Sequence, residues 1–196
     1  MHIIPTGTVS ENGDLKVNKL EPFFRYSLPI LKDKKMLSSL KNTQHGSVSV
    51  FTHCIMVAKY SYMLNEVLGL GCNVKSLIRG ALLHDYFLYD WHKIPKEVAK
   101  EGLHGFKHPV IAARNARKEF DISPKEYEII ICHMWPLTFT RVPVNKEAWL
   151  VCCVDKYCSL LETLKIQPYS NNEVKVWVEK HVRDMMRGEK IRPVFA

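Results

Sequence analysis

The sequence predicts an all-α protein, a helical bundle in one domain with a short irregular or hairpin-like N-terminal lead-in. Three observations predict it. From about residue 47 the apolar residues recur at alternating spacings of three and four, the period of one helix face. Helix-starting residues, Asn73, Ser123 and Asn145, stand directly before such runs. Between residues 45 and 165 there is no internal repeat and no linker, and 196 residues suffice for one domain that buries a core without cross-links.

Along the chain, Pro5, Gly7, Asn12-Gly13 and Pro22 are turn signals around short apolar pieces. Residues 1–44 therefore read as an extension packing on the core, and residues 45–196 as the helical domain. The first domain helix carries Cys54, Val57, Ser61, Leu64 and Leu68 on one stripe and ends at Gly69 and Gly71. His53 lies on a neighbouring stripe with Val50, Val57 and Leu64. A second helix runs from an Asn73 cap and brings His84 and Asp85 to its C-terminal end, in line with Leu77 and Ala81. Pro109 suits a first helical position, which puts His108 at the entrance of a helix reaching about Phe120. Ser123-Pro124-Lys125-Glu126 is a capping box opening a helix with Ile129, Ile130 and His133, stopped by Pro136. A long helix follows from Asn145 to about Lys165, with Ala148, Val151, Asp155 and Cys158 on one stripe. The last runs from Asn172 to Gly188.

Composition narrows the function classes. With 46% hydrophobic and 24% charged residues and no low-complexity tract, the chain is ordinary for a globular protein. No apolar run approaches a membrane span, and the start, Met-His-Ile-Ile-Pro-Thr-Gly, lacks the features of a signal peptide, so a cytoplasmic protein without a membrane partner is expected. The six cysteines contain no Cys-x-x-Cys pair and read as buried reduced thiols. A formal charge of +8 favours anionic partners. The basic residues form no recognisable nucleic-acid motif, so a small phosphate-containing substrate is expected rather than nucleic acid; the sequence assigns no oligomeric state.

The chemistry sits in an ordered series of residues. A His-Asp dipeptide alone is common by chance. Here a His on the preceding helix, an apolar run into His84-Asp85, two later His residues at helix boundaries and an Asp within a late apolar helix accompany it. Imidazoles and carboxylates are ligands for borderline and hard divalent ions. Asp155 is the strongest clue, because it lies in Leu-Val-Cys-Cys-Val-Asp-Lys-Tyr-Cys-Ser-Leu-Leu, where an unpaired buried carboxylate costs several kcal/mol. A cation must meet it. A metal ion is one candidate; Lys156 or Arg79 is the structural alternative. His53 poses the same choice between a ligand and a core histidine bonded to a carbonyl.

The order His53, His84-Asp85, Asp155 resembles the HD-domain metal-dependent phosphohydrolases, a helical superfamily acting mainly on phosphate esters. The resemblance covers about residues 45 to 165. It implies that His53, His84, Asp85 and Asp155 hold one divalent ion, that Asp85 bridges, and that His108 with His133 holds a second. The ions would be Fe, Mn, Mg, Co or Ni. Two nearby cations lower the pKa of a bridging water and stabilise charge on phosphoryl oxygens, so no side-chain nucleophile is needed. Lys156, which resembles a lysine common in the family, is ranked first as the group meeting the leaving oxygen, with an ion pair as its structural alternative. Arg79, Lys93, His104, Arg114 and Arg141 are candidate substrate contacts, each otherwise a solvated or paired polar residue.

The chain also departs from the family pattern. The Gly-Lys that often follows the His-Asp pair in dinuclear phosphodiesterases is replaced by Tyr86-Phe87-Leu88-Tyr89-Asp90-Trp91-His92-Lys93. His104 competes with His108 as ligand, with Pro109 favouring His108. His45 and His92 read as surface or rim residues, and Trp91, Trp135 and Tyr157 as pocket wall or core. The expected function is phosphomonoester or phosphodiester hydrolysis of a small metabolite or nucleotide. A di-iron oxygenase of the same helical family and a non-catalytic nucleotide sensor are the alternatives.

Overall fold

A computed structural model describes residues 14–100 and 102–185. Helices hold more than half of the chain's 196 residues. In chain order they are α1 (Asp14–Leu31), α2 (Lys34–Ser38), α3 (Val50–Leu68), α4 (Val74–Leu83), α5 (Lys96–Ala99), α6 (His104–Glu119), α7 (Pro124–Cys132), α8 (Lys146–Thr163) and α9 (Asn171–Met185). Strands β1 (Thr43–His45) and β2 (Val48–Ser49) form one small antiparallel hairpin.

Local signals in the sequence set the helix starts. Ser49, Asn73 and Asn145 each accept a backbone N–H from three residues on, at Thr52, Ser76 and Ala148. The box at Ser123 is complete, with Ser123 accepting from the Glu126 amide and the Glu126 side chain accepting from the Ser123 amide. Gly69, at φ 60°, ends α3 in the left-handed conformation that glycine adopts without steric penalty.

Two expectations need correction. From residue 14 to residue 41 the chain is largely helical rather than irregular: α1 continues through Pro22 and Pro29. Packing outweighs the lost backbone bonds, because Phe23, Phe24, Ile30 and Leu31 are fully buried in the same core as α3 and α4. The hairpin comes after these helices, at residues 43–49. Secondly, α6 begins at His104 and holds Pro109 in its second turn, so His108 lies inside the helix and not at its entrance. Proline marks a tolerated position near a helix start, not a fixed one. The turn signals at Pro5, Gly7 and Asn12-Gly13, and the stop at Gly188, lie outside the described residues.

Helix α4 is the hub, packed against α1, α3, α7 and α8. Its crossing with α7 is close because Gly80 has no side chain: a Cβ there would lie 2.7 Å from Ile129 Cδ1. Helices α3, α4, α7 and α8 thus bring their polar residues to one place. The segment after Asp85 is tied down, since Asn115 donates to the carbonyls of Tyr86 and Phe87 and the Tyr86 hydroxyl donates to Asp33. No helix among the described residues is long and apolar enough to cross a membrane.

Candidate metal centre

Six buried side chains converge where the four helices meet. His53 comes from α3, His84 and Asp85 from the end of α4, His108 from α6, His133 from the end of α7, and Asp155 from α8. Three overlapping groups, His53–His84–Asp85, His84–His133–Asp155 and Asp85–His108–His133, each place one ligand atom per residue within 4.8 Å of the others.

Asp85 divides the cluster. Its Oδ2 lies 3.4 Å from His84 Nε2 and 3.9 Å from His53 Nε2. Its Oδ1 lies 3.2 Å from His108 Nε2 and 3.5 Å from His133 Nε2. Asp155 Oδ1 closes the first side, 3.1 Å from His53 Nε2 and 3.6 Å from His84 Nε2.

The protons are fixed from behind. His84 Nδ1 donates to the Ala81 carbonyl at 2.6 Å, His133 Nδ1 to Ile130 at 2.7 Å and His108 Nδ1 to His104 at 2.9 Å. A carbonyl can only accept, so each neutral ring carries its proton on Nδ1 and turns an Nε2 lone pair toward the centre. His84 and His133 are both helix C-caps bonded to the carbonyl three residues back, so one device satisfies a terminal carbonyl and aims a ligand.

With neutral rings this arrangement confronts acceptor with acceptor. At His84 burial opposes charge, yet the neighbouring Asp85 and Asp155 raise the pKa. The Nε2 atoms of His108 and His133 are 2.9 Å apart, and His84 Nε2 and Asp85 Oδ1 are buried without a hydrogen-bond donor. Burial, followed by the nearby His84, lowers the pKa of His133 to about 3, so no proton resolves its side of the conflict near neutrality. Divalent cations would resolve it at every atom, and the nitrogen and oxygen donor set fits them. Burial opposes charge on Asp85 and Asp155, yet the surrounding imidazoles hold both carboxyls well below the usual range. Burial likewise opposes charge on His53, but its bonds to Asp155 and Glu162 raise it to about 10. In metal-free protein that ring therefore holds two protons, one of which a metal must displace.

The geometry coincides with a family match. A family model described as HD domain matches residues 50–193, most of the chain. The chain belongs to the HD-domain family. Neither the curated proteins nor the solved structures contain a match. For an HD domain, in a family made up mostly of metal-dependent hydrolases, buried His and Asp groups able to hold divalent metal are the expected centre.

A cleft of about 240 Å³ opens onto this HD centre, lined in part by Gln44, His45, Trp91, His104, Met134 and Lys156. Lys156 donates to Asp155 Oδ2 at 3.1 Å and to the His133 carbonyl, while its side chain remains 40% exposed. His104 is not in the metal groups; its ring stacks between Trp91 and His108 at the cleft wall. The other proposed substrate contacts do not line the cleft. Arg79 is bonded to Glu126 and to the Asp121 carbonyl, Lys93 and Arg114 are exposed elsewhere, and Arg141 lies in the loop after α7. His45 and Trp91 line the cleft; His92, Trp135 and Tyr157 do not.

Three residues of the site escaped sequence reasoning. Gln44 on β1 donates to Asp85 Oδ2, Glu162 accepts from His53 Nδ1 at 2.9 Å, and the Tyr169 hydroxyl donates to Glu162 at 2.7 Å. Glu162 carried a signal, an acid seven residues after Asp155 on the same helix stripe. Gln44 carried none.

Proposed function

We propose that this HD domain is a metal-dependent phosphohydrolase, acting on a small phosphorylated metabolite or nucleotide as phosphomonoesterase or phosphodiesterase. The supporting observation is the split Asp85 carboxylate, with one oxygen toward His53 and His84 and the other toward His108 and His133. His53, His84, Asp85 and Asp155 would hold one divalent ion, and Asp85, His108 and His133 a second. Ions bound there supply Lewis acidity toward phosphoryl oxygens and make water more acidic.

The chain's own residues contribute the rest. Lys156, a partly exposed side chain, brings its ammonium to the cleft beside Asp155, where it would meet a phosphoryl or leaving oxygen. Burial and the neighbouring His108 lower the pKa of His104 to about 4, so it is neutral at pH 7. The Tyr89 hydroxyl lies 2.8 Å from its Nδ1, and in the tautomer in which that hydroxyl donates, Nε2–H is a donor toward substrate. Trp91 and His108 hold that ring flat. A cleft of this size holds the phosphate end of such a substrate and does not enclose a dinucleotide.

Phosphate release should be measured across sugar phosphates, nucleoside monophosphates and simple diesters, with Mn²⁺, Mg²⁺, Fe²⁺ or Co²⁺ added to chelator-treated protein. Metal-dependent release that Asp85→Ala abolishes is expected. Oxygen consumption by the iron form without phosphate release would establish the oxygenase alternative, and tight nucleotide binding without turnover the sensor.

A further inference from the structure

We propose that Glu162, held by Tyr169, is a positioning residue that makes the two halves of the centre unequal, strengthening the ion held by His53. The inference rests on the metal centre proposed above. It concerns a carboxylate that touches neither the cleft nor the ligand atoms of the other histidines.

Glu162 is fully buried on α8, two turns beyond Asp155 on the same face. Its Oε2 accepts from His53 Nδ1 at 2.9 Å and its Oε1 accepts from the Tyr169 hydroxyl at 2.7 Å. The hairpin closes over the position: a Cβ at Gly46 would lie 2.5 Å from the Glu162 carbonyl oxygen, so the turn between β1 and β2 sits directly on this turn of α8. A carboxylate so enclosed requires a compensating positive group, and the His53 ring connects it to the cation that would lie on the opposite nitrogen.

The contrast with the other three histidines carries the argument. His84, His108 and His133 each direct Nδ1 to a neutral backbone carbonyl. His53 alone among these four directs Nδ1 to a carboxylate. A carboxylate acceptor draws the Nδ1 proton toward itself, raises electron density on Nε2 and makes that nitrogen the better donor to a cation. Asp155 adds a second full charge on the same side, 3.1 Å from His53 Nε2. The half built from His53, His84 and Asp155 therefore fills first, and the half built from His108 and His133 fills second.

Mn²⁺, and in parallel anaerobic Fe²⁺, titrated calorimetrically into chelator-treated protein tests this. Wild-type protein should bind in two resolved steps. Glu162→Gln keeps the shape and removes the charge; with affinities corrected for the protons released on binding, it should weaken the tighter step roughly 10- to 100-fold and leave the weaker one unchanged. Tyr169→Phe should weaken the same step by a smaller factor and add nothing to Glu162→Gln. Unchanged affinity in both variants, or equal weakening of both steps, would overturn the role of Glu162. If Glu162→Gln does not fold, Tyr169→Phe decides by the same criterion. Wild-type protein that takes up neither ion would remove the metal centre itself, a result distinguishable from either.

Discussion

Asp85 is the residue on which both halves of the centre depend. Asp85→Ala removes the one carboxylate among the described residues that faces all four imidazoles, and would leave the two proposed cations less screened from each other. Metal analysis should then find neither ion and assays no phosphate release. His133→Ala should retain one ion, because His53, His84, Asp85 and Asp155 remain. A second residue-scale prediction follows from His53. Its folded pKa of about 10 lies above the ordinary histidine value of about 6.5, so the proton it holds stabilises metal-free protein fully below about pH 6.5. That contribution is lost as pH rises through 10. Metal uptake changes in the opposite sense, strengthening over the same range because fewer protons need displacing. Calorimetry at pH 7.5 in buffers of differing ionisation enthalpy should register proton release on binding; absence of release would contradict the doubly protonated ring.

Helix α4 can present His84 and Asp85 to α7 only because the two helices nearly touch. At Gly80 a methyl group would meet Ile129 Cδ1 at 2.7 Å and its Cβ and Cγ2 at 2.9 Å. Ile129 is fully buried and cannot swing out to solvent. Gly80→Ala should gain some helix propensity but lose more to overpacking, for a net destabilisation of about 1–3 kcal/mol. Separating α4 from α7 also moves Asp85 away from His133. Activity should therefore fall more steeply than stability, which denaturant unfolding and turnover on the same preparation would compare. Unaltered turnover would mean that the crossing does not set the ligand geometry.

At the scale of the whole molecule, the centre clamps elements that lie far apart in the chain, joining α3, α4, α6, α7 and α8. Anything that binds only the folded form stabilises it by mass action, about 2.7 kcal/mol at a free concentration of 100 Kd. For a domain of this size that corresponds to a rise in Tm of roughly 5–10 °C. Thermal scans of chelator-treated protein with and without Mn²⁺ should show this difference, and Asp85→Ala should abolish it. The N-terminal helices belong to the same body. Phe23 and Phe24 are buried against Tyr62, Trp177 and His181, so removing residues 1–42 should expose aromatic surface and yield protein that fails to unfold cooperatively.

The sequence by itself determined the helical architecture from about residue 47 and the starts of α4, α7 and α8, because caps and three-to-four periodicity are local properties. It also singled out Asp155, since a carboxylate in an apolar run is an anomaly without any structure, while the set of six polar residues came from the family resemblance. It misread α1, where Pro22 and Pro29 argue against a helix locally and only burial of Phe23, Phe24, Ile30 and Leu31 outweighs them. Which cations reach the cleft was decided in three dimensions. Arg79 faces Glu126, 47 positions away, while Lys156 stays beside Asp155. Tertiary structure alone brought Gln44 onto Asp85 and joined Tyr169, Glu162 and His53 in one chain of bonds. These are contacts between segments 41 to 109 residues apart, apart from the short Tyr169–Glu162 link, and no periodicity encodes them. They arise because each buried polar atom must find a partner once helix packing has excluded water, and packing determines which partners are within reach.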